Sequence, residues 1–202
     1  MLHQKNNIMK KIVLSFLAGT IALTTSAQTN WKVDNTHSNL NFAVTHLVVS
    51  QVEGSFKTYE GKISSSSADF NNAQIAFSVD VNSVNTDNEM RDKHLKSDDF
   101  FNAEKYPTMN FKSVNFKKVD AKNYKLEGDL TIRSVTNRVK FDVTYGGTTG
   151  DGYGNTKAGF QVKGTINRKD YGLLWSKSTE AGGLVVSDEV SISINLELVQ
   201  AK

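Results

Sequence analysis

From Trp31 onward the chain alternates apolar and polar residues with a period of two, the pattern of strands that are dry on one face and wet on the other. Leu40, Phe42 and Val44 interleave with Asn39, Asn41, Ala43 and Thr45. Ile75, Phe77, Val79 and Val81 repeat the pattern, followed by Tyr124, Leu126, Leu130 and Ile132, then Val139, Phe141, Val143 and Tyr145. Ala158, Phe160, Val162 and Ile166 come next, and Val190, Ile192, Ile194, Leu196 and Leu198 close the chain. Stretches 49–63 and 109–119 read as strands with less regular alternation. The pattern yields about eight strands joined by turn-rich links, which favours antiparallel meander pairing. Closing about eight such strands into an up-and-down barrel removes the sheet edges. The expected class is therefore all-β, an antiparallel barrel, with a two-sheet sandwich as the rival.

The period breaks once, at residues 86–107. Thr86 with Glu89 reads as a capping box. Glu89 with Lys93, and Asp92 with Lys96, are acid-before-base pairs at helical spacing. Ser97 reads as the start of a second turn, with Asp98 and Asp99 in its positive first turn; Phe100 and Phe101 are its anchors and Pro107 its stop. One or two short helices at 86–106 are expected near the barrel mouth.

The large residues sit mostly on the apolar face, where Gly128 and Gly164 also fall. A glycine inside a strand marks a bend or a close approach. Both readings stay open: corners of a filled barrel, or room beside the aromatics. An eight-stranded barrel is about the size that either fills itself or holds one small ligand.

The first 27 residues stand apart. Lys5, Lys10 and Lys11 precede an apolar run at 12–23 and then Thr25, Ser26 and Ala27. This reads as a signal peptide, cleaved near Ala27, with a run too short for a spanning helix of roughly 20 residues. The expected organisation is a leader at 1–27 and one barrel domain at 28–202. The leader holds three of the 24 Lys+Arg and none of the 21 Asp+Glu, which leaves 21 against 21. The remainder is near neutral, so nucleic acid is not an expected partner. There is no cysteine, so neither disulfides nor a lipid-modified cysteine anchor is available. A periplasmic or secreted location follows.

Candidate chemistry is sparse. His37, His46 and His94 match no metal-ligand spacing. His46 follows the inward parity of its strand, His37 lies in a turn, and His94 sits beside Arg91 and Asp92, where it meets either a ligand head group or a neighbouring carboxylate. There is no GxSxG elbow and no phosphate loop. Arg133, Arg138 and Arg168 read as surface or rim residues. An apolar interior without catalytic machinery favours a binding module over an enzyme, with no metal and no cofactor expected.

These residues resemble the YceI-like family. The matching pieces include Trp31 to Asp34 with His37 and Ser38, Phe42 to Ser50, and Val52 to Phe56. Arg91, Asp92, His94, Leu95, Ser97, Asp99, Phe100 and Phe101 form one motif, and Tyr106, Pro107, Thr108 and Phe111 form another. Later pieces run from Gly128 to Thr136, through Gly159 and Phe160, from Ile166 to Gly172, and from Gly182 to Val190. Ser134 stands where the family usually has glycine. The resemblance implies a lipocalin-like barrel whose cavity binds polyisoprenoids or other long-chain amphiphiles. It also implies periplasmic carriers or stores of isoprenoid quinones or related lipids, some tied to acid or base stress, with no established catalysis.

The expected ligand is accordingly a long-chain lipid such as a polyisoprenoid, an isoprenoid quinone or a fatty-acid-like molecule. The expected walls are Phe42, Val44, Phe77, Val79, Phe111, Leu126, Leu130, Phe141, Phe160, Val162, Ile192 and Ile194. Phe100 joins them from the 86–106 gate, where Arg91 and His94 are head-group candidates. No permanent membrane anchor is expected; transient contact with a membrane or a membrane protein, and a homodimer, are left open. The rival functions are a lipid hydrolase or isomerase using His46 or His94 as base, and a filled barrel acting through its outer surface.

Overall fold

A computed structural model describes residues 28–178 and 182–202, and the leader expected at 1–27 lies outside them. The alternation becomes eleven strands of one antiparallel sheet. They are β1 (Thr29–Val33), β2 (Asn39–His46), β3 (Ser50–Phe56), β4 (Tyr59–Ser65), β5 (Gln74–Asp80), β6 (Val84–Asn85), β7 (Thr108–Lys118), β8 (Asn123–Ile132), β9 (Val135–Gly150), β10 (Thr156–Asn167) and β11 (Val186–Gln200). Among the described residues one α-helix, α1 (Glu89–Lys96), lies between β6 and β7.

The eleven strands make eight staves. β11 pairs with β2 along one part of its edge and with β1 along another, so β1 and β2 are one interrupted stave. β3 and β4 are the next, since they pair with β2 and β1 respectively. β5 and β6 form the third. The order then follows the chain from β7 to β11 and closes on β1, giving an eight-stave barrel. The sandwich is thereby excluded. Three adjacent staves break at the same level, which explains the irregular alternation across 49–63.

β7 is irregular for another reason. Its register against β8 shifts between Ser113 and Asn115. The extra residue, Val114, is pushed outward, and a bulge of this kind flips the parity of the residues after it. Phe111 and Phe116, an odd number apart, therefore both face inward. Ser113 Oγ accepts the Ile75 N–H at 2.8 Å, replacing the lost ladder bond.

The two ends differ. At one, Trp31, Phe70, Phe116, Tyr124, Ala158 and Leu198 are all buried and pack as one cluster. Phe70 comes from the β4–β5 link and packs, tilted or edge-on, against Trp31, Tyr145 and Phe160 at centroid distances of 5.1, 5.8 and 5.0 Å. Each fully buried aromatic or aliphatic side chain contributes about 1.5–3 kcal/mol, and in a chain without cysteine this plug carries much of the stability. At the other end lie α1, the β2–β3 hairpin and the β10–β11 connection.

Polar clamps fasten the interrupted stave. Lys157 Nζ lies 2.6 Å from Asp34 Oδ2 and 3.0 Å from Glu197 Oε1. His37 Nδ1 lies 3.1 Å from the same Asp34 oxygen. The Lys157 hydrogen bond, with a smaller contribution from His37, holds the Asp34 carboxyl far below the usual carboxylate range. His37 is thus part of a structural ion cluster at the β1–β2 break.

The helix starts later than the capping-box pattern suggests. Asn88 is the N-cap, its side chain accepting the Arg91 N–H at 3.0 Å. Thr86 is buried instead, and both its N–H and its hydroxyl donate to Asp92 Oδ1, at 2.9 and 2.6 Å. Ser97 ends α1 rather than opening a second helix, and residues 97–105 are turns. Glu89 and Asp92 near its start and Lys93, His94 and Lys96 near its end complement the dipole.

Candidate ligand-binding cavity

Between the aromatic plug and α1 the barrel encloses a cavity of about 490 Å³. That is within the roughly 300–1,000 Å³ of small-molecule sites, which are mainly apolar with a few polar groups. Every wall residue expected from the alternation faces it, from Phe42 and Val44 through Ile192 and Ile194, and so do Arg91, His94 and Phe100.

The lumen stays open because four phenylalanine rings lie on glycines of the wall. A Cβ on Gly54 would come within 2.4 Å of the Phe42 ring, and one on Gly61 within 2.6 Å of the Phe77 ring. Gly128 under Phe111 and Gly164 under Phe141 would each meet their ring at 2.3 Å. Atoms cannot approach this closely, so each ring occupies the space of a missing side chain and lies along the wall. The glycines of the apolar face are seats for aromatics, which settles the alternatives of corner and open room: the room goes to a ring, and the ring thereby leaves the axis.

Polar groups gather at the α1 end. Arg91 donates from Nε to Thr86 Oγ1 at 2.7 Å and from Nη2 to Thr86 O at 2.6 Å, which ties α1 to the strand it follows. His94 Nε2 lies 2.9 Å from Asp99 Oδ2. The same imidazole meets Phe100 and Trp175 edge-on at 5.0 and 5.3 Å, so it pairs with a carboxylate and lines the cavity at once. His46 also lies on the wall, as its parity suggests. Among the described residues, neither His46 nor His94 has its imidazole hydrogen-bonded to a hydroxyl nucleophile.

Arg168 is the principal correction. Its sequence setting reads as a rim residue, yet it is 3% exposed. It donates to the carbonyls of Ser187, Leu173 and Trp175 at 2.9, 2.7 and 2.7 Å and to Asp188 Oδ1 at 3.0 Å. Burial lowers its pKa, with Asp188 working against that shift. The guanidinium fork thus holds together both ends of the β10–β11 connection. Trp175, carried by that connection, contacts Phe100 at 5.4 Å and so joins α1's turn to the opposite rim. Trp175, Leu95, Phe101 and Phe70 also line the cavity and lie outside regular strand alternation. The aromatic content of residues 95–101 was the only local signal for any of them.

An antiparallel eight-stave barrel, plugged at one end and holding an apolar cavity under a short helix, defines a lipocalin-like binding fold. The YceI-like domain model matches residues 31–198, and the chain belongs to that family. A UPF0312 protein of Staphylococcus aureus is 35% identical over 170 residues, spanning 84% of this chain and 96% of the relative. The crystal structure of the Campylobacter jejuni YceI protein superposes with a TM-score of 0.68 at 35% identity, covering 78% of this chain and 90% of that one. A polyisoprenoid binding domain from Saccharophagus degradans, implicated in plant cell wall breakdown, shares the fold with a TM-score of 0.59 at 20% identity, covering 85% of this chain and 98% of that one.

Proposed function

We propose that this protein is an exported, periplasmic or secreted carrier that sequesters one long-chain amphiphile in the barrel and performs no catalytic step on it. The observation that carries the reading is the cavity itself: an apolar lumen, closed at one end by aromatics and kept open by rings seated on glycines. The name of the Saccharophagus domain supports an isoprenoid tail as the ligand class. A polyisoprenoid, an isoprenoid quinone or a fatty-acid-like lipid fits the same chemistry. Each buried methylene contributes about 0.8 kcal/mol, so a chain of about sixteen carbons supplies about 13 kcal/mol and still reaches about micromolar affinity after an ordering cost of about 4–5 kcal/mol.

The tail points toward the Phe70 plug, and the head group stays near Arg91 and His94. α1 has no buried residue, so opening it exposes little apolar surface, and it serves as the gate. Titration with a fluorescent sixteen-carbon fatty acid tests the reading. Saturation at one probe per chain is expected, unchanged in sign when His46 and His94 are both replaced by Gln. Absent or unsaturable binding contradicts the carrier, and chemical conversion of a lipid by the parent, lost in the double variant, establishes the enzyme instead.

A further inference from the structure

The β2–β3 hairpin is strained in a way that the barrel does not require. Its turn closes with the Val49 N–H bonded to His46 O at 3.1 Å. The two central residues, Leu47 and Val48, both have positive φ, 51° and 63°. A turn of that hand is normally built from Asn-Gly or Asp-Gly, and a β-branched residue at positive φ is an outlier. Backbone strain of this kind persists where the conformation has a use.

What the strained turn displays is apolar. Leu47, Val48 and Val49 are 42%, 70% and 83% exposed. The neighbouring segments of the same end add Met90 on α1, 82% exposed, and Leu174 on the β10–β11 connection, 64% exposed. The hairpin adjoins the cavity directly: His46 lines it, and the Leu47 N–H donates at 2.9 Å to the carbonyl of Val185, another lining residue. Charge is absent as well. Residues 38–52 include no Asp, Glu, Lys or Arg, in a chain that is 22% charged. Exposed hairpins and edges are ordinarily guarded by charge; this one carries none before Glu53, four residues beyond its tip.

We propose that Leu47, Val48 and Val49 form a wedge that inserts into a lipid bilayer and seats the cavity mouth against the membrane surface. The proposal rests on the carrier reading and extends it, by giving the lipid a path from bilayer to cavity that avoids water. The shape favours a bilayer over a protein. A stable protein interface takes about 800 Å² from each partner over a complementary surface, whereas a convex tip of three side chains needs only a fluid apolar medium. An uncharged wedge gives attachment that does not depend on anionic lipid or on salt.

Flotation with neutral phosphatidylcholine vesicles tests this. The protein is isolated from a secreting host and its N-terminus verified by intact mass, because the apolar run at 12–23 would bind membranes by itself. The variant is Leu47→Asn, Val48→Gly, Val49→Thr. It places favoured residues in the turn, so its thermal stability is expected to match or exceed that of the parent, and its titration with the soluble fatty-acid probe is expected to be unchanged. The parent should float with vesicles equally at low and high salt, and the variant's partitioning should fall at least about tenfold, since each inserted apolar side chain is a substantial transfer gain. The wedge is overturned if the parent does not float, if the variant floats equally well, if salt abolishes flotation, or if the substitutions instead dissociate a lipid-free dimer. Intact probe binding without flotation sinks the wedge alone, whereas loss of probe binding in the parent sinks the carrier reading beneath it.

Discussion

Gly61→Leu is expected to weaken binding of a long-chain ligand by about a hundredfold while the barrel still folds. Gly61 is buried in β4, and its missing side chain is the seat of the Phe77 ring. The nearest atoms to an added Cβ are the tips of Val33 and Phe77, at 2.5 and 2.6 Å, and no backbone atom is among them. The ring is therefore what yields, and the direction left to it is the lumen. If it displaces about four methylenes of the bound chain, the loss is about 3 kcal/mol, or about a hundredfold. Overpacking itself costs about 1–3 kcal/mol of stability, which thermal unfolding will register separately. Phe77→Ala in the same chain returns the volume to the lumen and should restore most of the affinity. Such rescue is a coupling between two neighbours rather than a general loss of fold. Unchanged probe affinity in Gly61→Leu would mean that the chain does not occupy the axis beside Phe77.

Arg168→Met is expected to produce the largest loss of stability of any single substitution considered. The methionine keeps the apolar stem but takes the guanidinium from the carbonyls of Ser187, Leu173, Trp175 and Val186 and leaves the Asp188 carboxylate to Lys169 alone. Removing one partner of a buried, hydrogen-bonded pair costs about 3–5 kcal/mol. For a chain of this size that corresponds to a fall of about 10 °C in the unfolding midpoint. Lysine should recover only part of it, because a point ammonium cannot reproduce the planar fork. The damage should begin locally: cleavage by a protease between Gly172 and Val185 should accelerate before β8 or β9 is attacked. A midpoint within a degree or two of the parent would show that the fork is not what closes this connection.

The barrel walls were legible because the alternation is strict where staves are continuous. In β8, Tyr124, Leu126, Leu130 and Ile132 point one way and Lys125, Glu127, Asp129 and Thr131 the other, and no bulge intervenes. Where the parity slips the pattern was blurred, as at Val114, or across the breaks that separate β1 from β2 and β3 from β4. The local helix signal was right in kind and wrong in detail. Both Thr86 and Asn88 are good caps; tertiary packing buries Thr86 against Asp92 and Arg91 and leaves the N-cap to Asn88. Arg168 escapes the sequence pattern because a charged residue beside a turn is usually wet, and its partners lie up to 20 residues away in the sequence. Phe70 and Trp175 were invisible to periodicity, since a loop residue that folds back as a plug or a rim has no period. The seating of Phe42, Phe77, Phe111 and Phe141 on glycines is likewise a relation between strands, which no single stretch of sequence displays.

The most direct measurement is organic extraction of the protein isolated from its own source, followed by mass spectrometry against an internal standard. One long-chain amphiphile per chain, absent from an equally handled Gly61→Leu preparation, is the expected result. Protein isolated with no stoichiometric lipid, at full folded yield, would contradict the claim that this barrel exists to carry one.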